Sequence, residues 1–194
     1  MRGFSRQPLL AAAMLAVLGI ACSSATPTGT PGIDRMGRTV LRYQGPEIEA
    51  VIGYRFASQN LGEQWLVLDL ALTASGDDSV KIQRSRIFVR TPAGEALYLP
   101  SQEEFAAAYA GLRSKIQRAA VAADPLDYFK ARIPCELQFF AEPGRGLVFS
   151  ETWVDDRRVC SGRLFFAIPG AVQPGPYVLG IDLQESKVRI PFRL

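Results

Sequence analysis

Three cysteines and no histidine set the chemistry open to this chain of 194 residues. Without histidine it lacks the side chain that ordinarily titrates near neutral pH, the usual base beside a serine or cysteine nucleophile, and the commonest metal ligand. Cys135 and Cys160 are the pair able to act together. In an oxidising compartment two cysteines of one folded body join, and closing the 135–160 loop contributes about 3.5 kcal/mol by restricting the unfolded chain. A redox-active dithiol would use Cys-x-x-Cys spacing, which does not occur. The serines, Ser101, Ser150 and Ser161 among them, sit in no Gly-x-Ser-x-Gly elbow. No Walker loop, dinucleotide fingerprint or zinc-spaced cysteine set is present either.

Acidic residues come in pairs: Asp77 with Asp78, Glu103 with Glu104, Asp155 with Asp156. Each could join a calcium site or a carboxylate pair for glycoside chemistry, but none has the spacing of a calcium loop, and solvated turns and a helix first turn favoured by the dipole are the preferred reading. The stretch "ETWVDDRRVC" sets Trp153 near Asp155, Asp156, Arg157 and Arg158. An aromatic among mixed charges suits contact with a partner; a tryptophan buried beside the disulfide is the alternative. The inventory therefore specifies no catalytic residues, no cofactor and no metal.

These residues hang on a chain whose two ends differ in composition. Residues 1–21 carry Arg2 and Arg6, then an uninterrupted apolar run over 9–20, too short to span a bilayer and typical of an export signal. Removing this leader takes the net charge from +3 to +1, with 20 basic against 19 acidic side chains. A nearly neutral body whose arginines form no block is a poor footprint for nucleic acid. At 48% hydrophobic and 21% charged, the body has the composition of a folded globular domain.

The leader ends in "LGIACSSATPTGTPG", which resembles the processing site of bacterial lipoproteins, where small residues precede a cysteine that is acylated and becomes residue one. Ala21 and Ile20 fit that pattern; Gly19 departs from it, with the expected leucine one place early at Leu18. The resemblance implies a lipid on Cys22, membrane attachment through it, and residence in the cell envelope, with Ser23 favouring the outer membrane where the cell has one. Plain secretion after Ala21 or Ala25, giving a soluble or periplasmic protein, is the rival reading, and a buried thiol at Cys22 is a third. Residues 22–32 are small, polar or turn-forming and read as a tether, leaving 33–194 as one domain.

From there the hydrophobic period is two. In "EIEAVIGYRFA" Ile48, Ala50, Ile52, Tyr54 and Phe56 fall on one strand face; in "WLVLDLALT" Leu66, Leu68, Leu70 and Leu72 point inward, with Trp65, Val67, Asp69, Ala71 and Thr73 outward. Further strands are expected over 80–83, 87–90, 96–99, 135–140, 146–149, 163–168, 177–184 and 187–193, separated by Gly/Pro turns such as "TPAGE" and "EPGRG". Short strands so punctuated argue for an antiparallel β-sandwich. One segment, about 101–122, instead predicts a helix, with Ser101 and Glu104 as a capping box and Phe105, Tyr109, Leu112 and Ile116 along one face. Its stripe is expected to cover an open edge or end of the sandwich. A partner-binding or membrane-lying helix is the alternative, against which its mixed-charge polar face speaks.

"EQWLVLDLALT", "IFVRTPAGEALY", "SGRLFFAIPG" and "YVLGIDL", covering roughly 47–99 and 160–184, resemble the Ig-like domains of unknown function in secreted bacterial lipoproteins, akin to the immunoprotective extracellular class. The resemblance implies a mainly β, Ig-like sandwich with one inserted helix, no catalytic residues, and a role as a binding module for an envelope protein or polymer. A carrier of a small molecule or lipid, with the helix as lid over an apolar cleft, is the second reading; carboxylate-only catalysis is the third.

Overall fold

A computed structural model describes residues 32–131 and 133–194; the leader, Cys22 and nearly all of the tether lie outside the described residues. Strand accounts for 42% and helix for 17% of these residues, so the chain is mainly β. A six-stranded sheet runs β1 (Gly32–Arg35), β2 (Val40–Gln44), β3 (Ile48–Gly53), β4 (Trp65–Ala74), then β10 (Arg158–Ala167) and β8 (Ile133–Glu136). A four-stranded sheet has the order β12 (Lys187–Arg193), β11 (Pro176–Asp182), β6 (Ile87–Arg90), β7 (Ala96–Tyr98). A ribbon of β5 (Val80–Gln83) and β9 (Glu151–Val154) completes the strands. All neighbours are antiparallel except β8, which runs parallel to β10.

The leucines of β4 behave as their alternation dictates: Leu66, Leu68, Leu70 and Leu72 are fully buried, and with Leu164 and Phe166 of β10 they meet Leu179, Ile181, Val188 and Ile190 of the facing sheet in one core. The opposite face of β4, expected to meet solvent, is covered as well. Helix α2 (Gln102–Val121) packs Phe105, Leu112 and Ala119 on Val67 and Phe165, with Tyr109 and Ile116 half-buried beside them. It thus lies across the face of the sheet, not along an edge or end. The reason is in the sequence: Val67 and Phe165 are paired neighbours on β4 and β10 and need an apolar cover. The capping box forms, Ser101 Oγ accepting from the Glu104 amide at 3.1 Å and the Glu104 carboxylate accepting from the Ser101 amide at 2.7 Å. After α2 the chain returns over the same face, where Phe129 is buried with Val40, Val51 and Ala71.

Several strand boundaries differ from the period-two reading. β1, exposed along its whole length, carries no apolar period, and β2 alternates only over Leu41 to Gln44; neither was anticipated. The strand over 47–57 stops at Gly53, and a short helix α1 (Arg55–Gln59) follows. Tyr54 and Phe56 consequently part: Tyr54 enters the inter-sheet core against Phe192, centroids 5.3 Å apart, while Phe56 joins the cluster under α2. A helical step of about 100° per residue, against 180° in a strand, accounts for the split. No strand forms over 146–149; the ladder lies instead at β9, opposite β5. The strand expected over 135–140 is β8, ending at Glu136, and that over 163–168 extends back to Arg158.

Candidate functional site

On the outer face of the six-stranded sheet, two apolar clusters are separated by a polar row. Gly53, Asp69 and Arg163 are directly opposed across β3, β4 and β10. Arg163 Nε donates to Asp69 Oδ1 at 2.9 Å and its Nη1 reaches the Ile116 carbonyl of α2 at 3.4 Å, so one guanidinium ties sheet to helix. Above Gly53 sits Asp124, its side chain 1% exposed, in an ion pair with Arg55 at 2.5 Å and accepting from Thr39 Oγ1 at 2.7 Å. The missing side chain at Gly53 makes the space: a Cβ there would stand 3.2 Å from Asp124 Cβ and 3.3 Å from Leu126.

Burial pushes the Asp69 carboxyl above the ordinary aspartate range; the hydrogen bond and charge of Arg163 oppose this, and the negative charge of Asp124 adds to it. A cleft of about 540 Å³ opens at this row, between α2, residues 123–126 and residues 136–142. Phe105, Tyr109, Phe140 and Phe165 give it aromatic walls, while Asp69, Asp124, Glu136 and Glu142 supply carboxylates, of which Asp69 is paired with Arg163, Asp124 with Arg55 and Glu142 with Arg145. A second cleft of about 650 Å³, lined by Arg38, Thr39, Arg55 and Tyr128, shares Asp124 with it. Acceptor-rich walls with aromatic faces suit a ligand that carries N–H or O–H donors on a flat or apolar body.

The residues singled out from sequence are distributed differently. Cys135 and Cys160 are joined, and they are facing partners of β8 and β10, so the bond ties an edge strand to its neighbour, both within strands. Trp153 is 51% exposed on β9, not buried by the disulfide, and its ring lies 5.1 Å from Lys81 Nζ. Asp155 organises the turn from β9 into β10: its carboxylate accepts from the amides of Arg157 and Arg158 and from the Arg158 side chain at 2.9 and 2.7 Å. The Arg158 hydrogen bond holds the Asp155 carboxyl below the usual aspartate range. Asp156 and Arg157 are exposed in that turn. Asp77 and Asp78 lie in an exposed turn and Glu103 in the first turn of α2. Among the described residues no group of three or more Cys, Asp or Glu could hold a metal ion, and no helix is long and apolar enough to cross a membrane.

Sequence reasoning missed Asp69, Asp124 and Arg163 as a site. The available signal was a charge at the centre of each of two otherwise apolar strands, "LVLDLAL" and "SGRLFF". No family model, curated protein or solved structure matches the chain.

Proposed function

We propose that this chain is an exported, lipid-anchored protein of the bacterial cell envelope, a non-enzymatic module whose Ig-like body binds a donor-rich segment of an envelope protein or polymer in the cleft beside α2. The observation that carries the location is the bond between Cys135 and Cys160. Such bonds persist in oxidising compartments, and it leaves Cys22, at the end of an export leader, as the one cysteine without a partner in the body. Acylation gives that cysteine its use.

Two features support the Ig-like reading of the body. Two sheets share a single core, and Tyr177, at the start of β11, turns its hydroxyl back to donate to the Gln173 carbonyl at 2.9 Å and accept from the Gln173 amide at 3.1 Å. This is the arrangement of the tyrosine corner of Greek-key sandwiches. A binding role is favoured over acid–base catalysis because both buried carboxylates of the cleft are held by arginines, Asp69 by Arg163 and Asp124 by Arg55. A lid-like role for α2 is disfavoured by Phe105 and Leu112, 2% and 1% exposed, which lock the helix to the sheet.

One experiment tests both halves. Protein carrying a photo-crosslinking residue at Tyr109 is expressed with an intact leader or with Cys22→Ala, and membranes are irradiated. The intact form should fractionate with membranes and give a discrete crosslinked species; Cys22→Ala should lose membrane attachment or remain unprocessed. Unchanged attachment of Cys22→Ala would overturn the anchor, and absence of any crosslink at Tyr109 would overturn the cleft as the binding site.

A further inference from the structure

We infer that one end of the six-stranded sheet, the end at which β1 begins, rests on the lipid surface, with Trp153 and Ile133 seated at headgroup level. This rests on the acylation of Cys22 proposed above and concerns which way the body then faces.

Backbone pairing gathers five chain segments at that end. Gly32, the first residue of β1, is opposite Gln44 at the end of β2. The turn that follows β2 is fastened to the end of β4: Ser75 Oγ donates to the Gly45 carbonyl at 2.8 Å, and the Ser75 amide to the Glu47 carbonyl at 2.9 Å. Thr73 Oγ1 and the Ala74 amide both donate to the Asp155 carbonyl, at 2.9 and 3.3 Å. The Ile133 amide donates to the Arg157 carbonyl at 3.2 Å, which brings the start of β8 to the same rim. Trp153 lies two residues before Asp155. Trp153 and Ile133 are large apolar side chains exposed to 51% and 54% at this rim.

Reach decides the orientation. The residues from Cys22 to Pro31, even fully extended, span at most about 36 Å. β4, whose ten residues run from this rim at Ala74 to the far end at Trp65, is itself about 30 Å tall. Only a linker drawn taut along the whole body could bring the far end down, so the rim nearest Gly32 is the one that meets lipid. Tryptophan suits such a place because its ring is apolar and its N–H polar, and Lys81 beside it is ion-paired with Glu151 at 3.0 Å, so it brings no net charge to the ring. Exposed charge at the rim has both signs, Asp77, Asp78 and Asp156 with Arg157 and Lys130, so contact depends on the ring and not on anionic lipid. The same orientation leaves the cleft on the side of the sheet around Asp69, its lining running from Ser161 opposite Ala71 to Phe165 opposite Val67.

The two tryptophans, at opposite ends of the body, provide the test. Mature lipidated protein, purified from membranes, is placed in phosphatidylcholine vesicles containing lipid brominated high on the acyl chain, as two variants: Trp65→Phe, which leaves Trp153, and Trp153→Phe, which leaves Trp65. Trp153 emission should shift to the blue and lose much of its intensity, Trp65 emission should be unchanged, and neither result should respond to added phosphatidylglycerol or to salt. If Trp65→Phe does not fold, the wild-type spectrum minus that of Trp153→Phe gives the same reading. An unquenched Trp153, or quenching of Trp65 instead, on a chain whose mass shows acylated Cys22 overturns the orientation and leaves the anchor standing. Quenching that requires phosphatidylglycerol overturns the ring-based contact, and a mature chain without acyl groups overturns the anchor and this inference together.

Discussion

The two faces of β4 are built from alternate residues of the same ten-residue strand, yet they do different work. The inner face, Leu66, Leu68, Leu70, Leu72 and Ala74, is apolar throughout and meets the second sheet in a continuous core. The outer face, Trp65, Val67, Asp69, Ala71 and Thr73, has an apolar position on either side of a charge, and each part has its own cover: α2 over Val67, residues 126–129 over Ala71, and Arg163 on Asp69. A uniform face tolerates a uniform partner. A face with a carboxylate in its middle forces its cover to divide around that charge, and the cleft lies at the division.

If this contrast is right, the inner face fails by losing volume and the outer by losing a partner. Leu70→Ala should cost about 2 to 5 kcal/mol, read as a lower urea midpoint with unchanged slope. Arg163→Met, which strands Asp69 under the helix, should cost about 3 kcal/mol, whereas Asp69→Leu combined with Arg163→Met should be milder than the single change. Equal or greater loss in the double variant would mean that the row is held by packing and not by charge.

Smaller effects sharpen the outer face. Gly162→Ala would place a Cβ 2.8 Å from the Leu137 carbonyl oxygen, moving the wall of the cleft, and should cost about 1 to 3 kcal/mol with loss of crosslinking at Tyr109. Ser101→Ala should cost about 1 kcal/mol, seen in thermal melts, and leave the cleft intact. The two carboxylates respond to pH in opposite directions. Asp69, raised by burial, favours the folded state once protonated, so wild type should gain stability relative to Asp69→Asn as pH falls through its folded value to the ordinary aspartate range. Glu104, lowered by its hydrogen bond to the Ser101 amide, gives stability present above the ordinary glutamate range and lost as pH falls below it. Denaturation of wild type, Asp69→Asn and Glu104→Gln across that range should separate the two signs.

Legibility in the sequence follows the same division. Leu66 to Leu72, the capping box at Ser101, and the strands at Val80–Gln83, Ile87–Arg90 and Lys187–Arg193 were readable because a single local rule determines each. What escaped was tertiary. Val67 and Ala71 read as solvent-facing because alternation cannot show that α2 arrives from later in the chain to cover Val67 and residues 126–129 to cover Ala71. β1 has four exposed residues and exists through its pairing with β2, so no apolar period marks it. The row of Gly53, Asp69 and Arg163 depends on the register of three strands, and Asp124 joins it from a loop. Each residue looks unremarkable alone, and only the pairing makes them a site. The turn of Asp155 to Arg158 divides its charge: Asp155 and Arg158 bond to each other, while Asp156 and Arg157 remain exposed.

The bond between β8 and β10 has a consequence for how the protein survives a cut in its backbone. Between its two cysteines the chain makes an exposed excursion through Gly144 and Gly146, both in left-handed conformation, to Leu147, 72% exposed, which is the kind of segment proteases enter. A single cut there severs the backbone and releases nothing. The carboxyl-terminal fragment stays fastened through Cys160 and through its ladder with β4, and a protease would nick the molecule without shedding half of it. Such a nick would be invisible on a gel until the sample is reduced, when two pieces should appear in place of one.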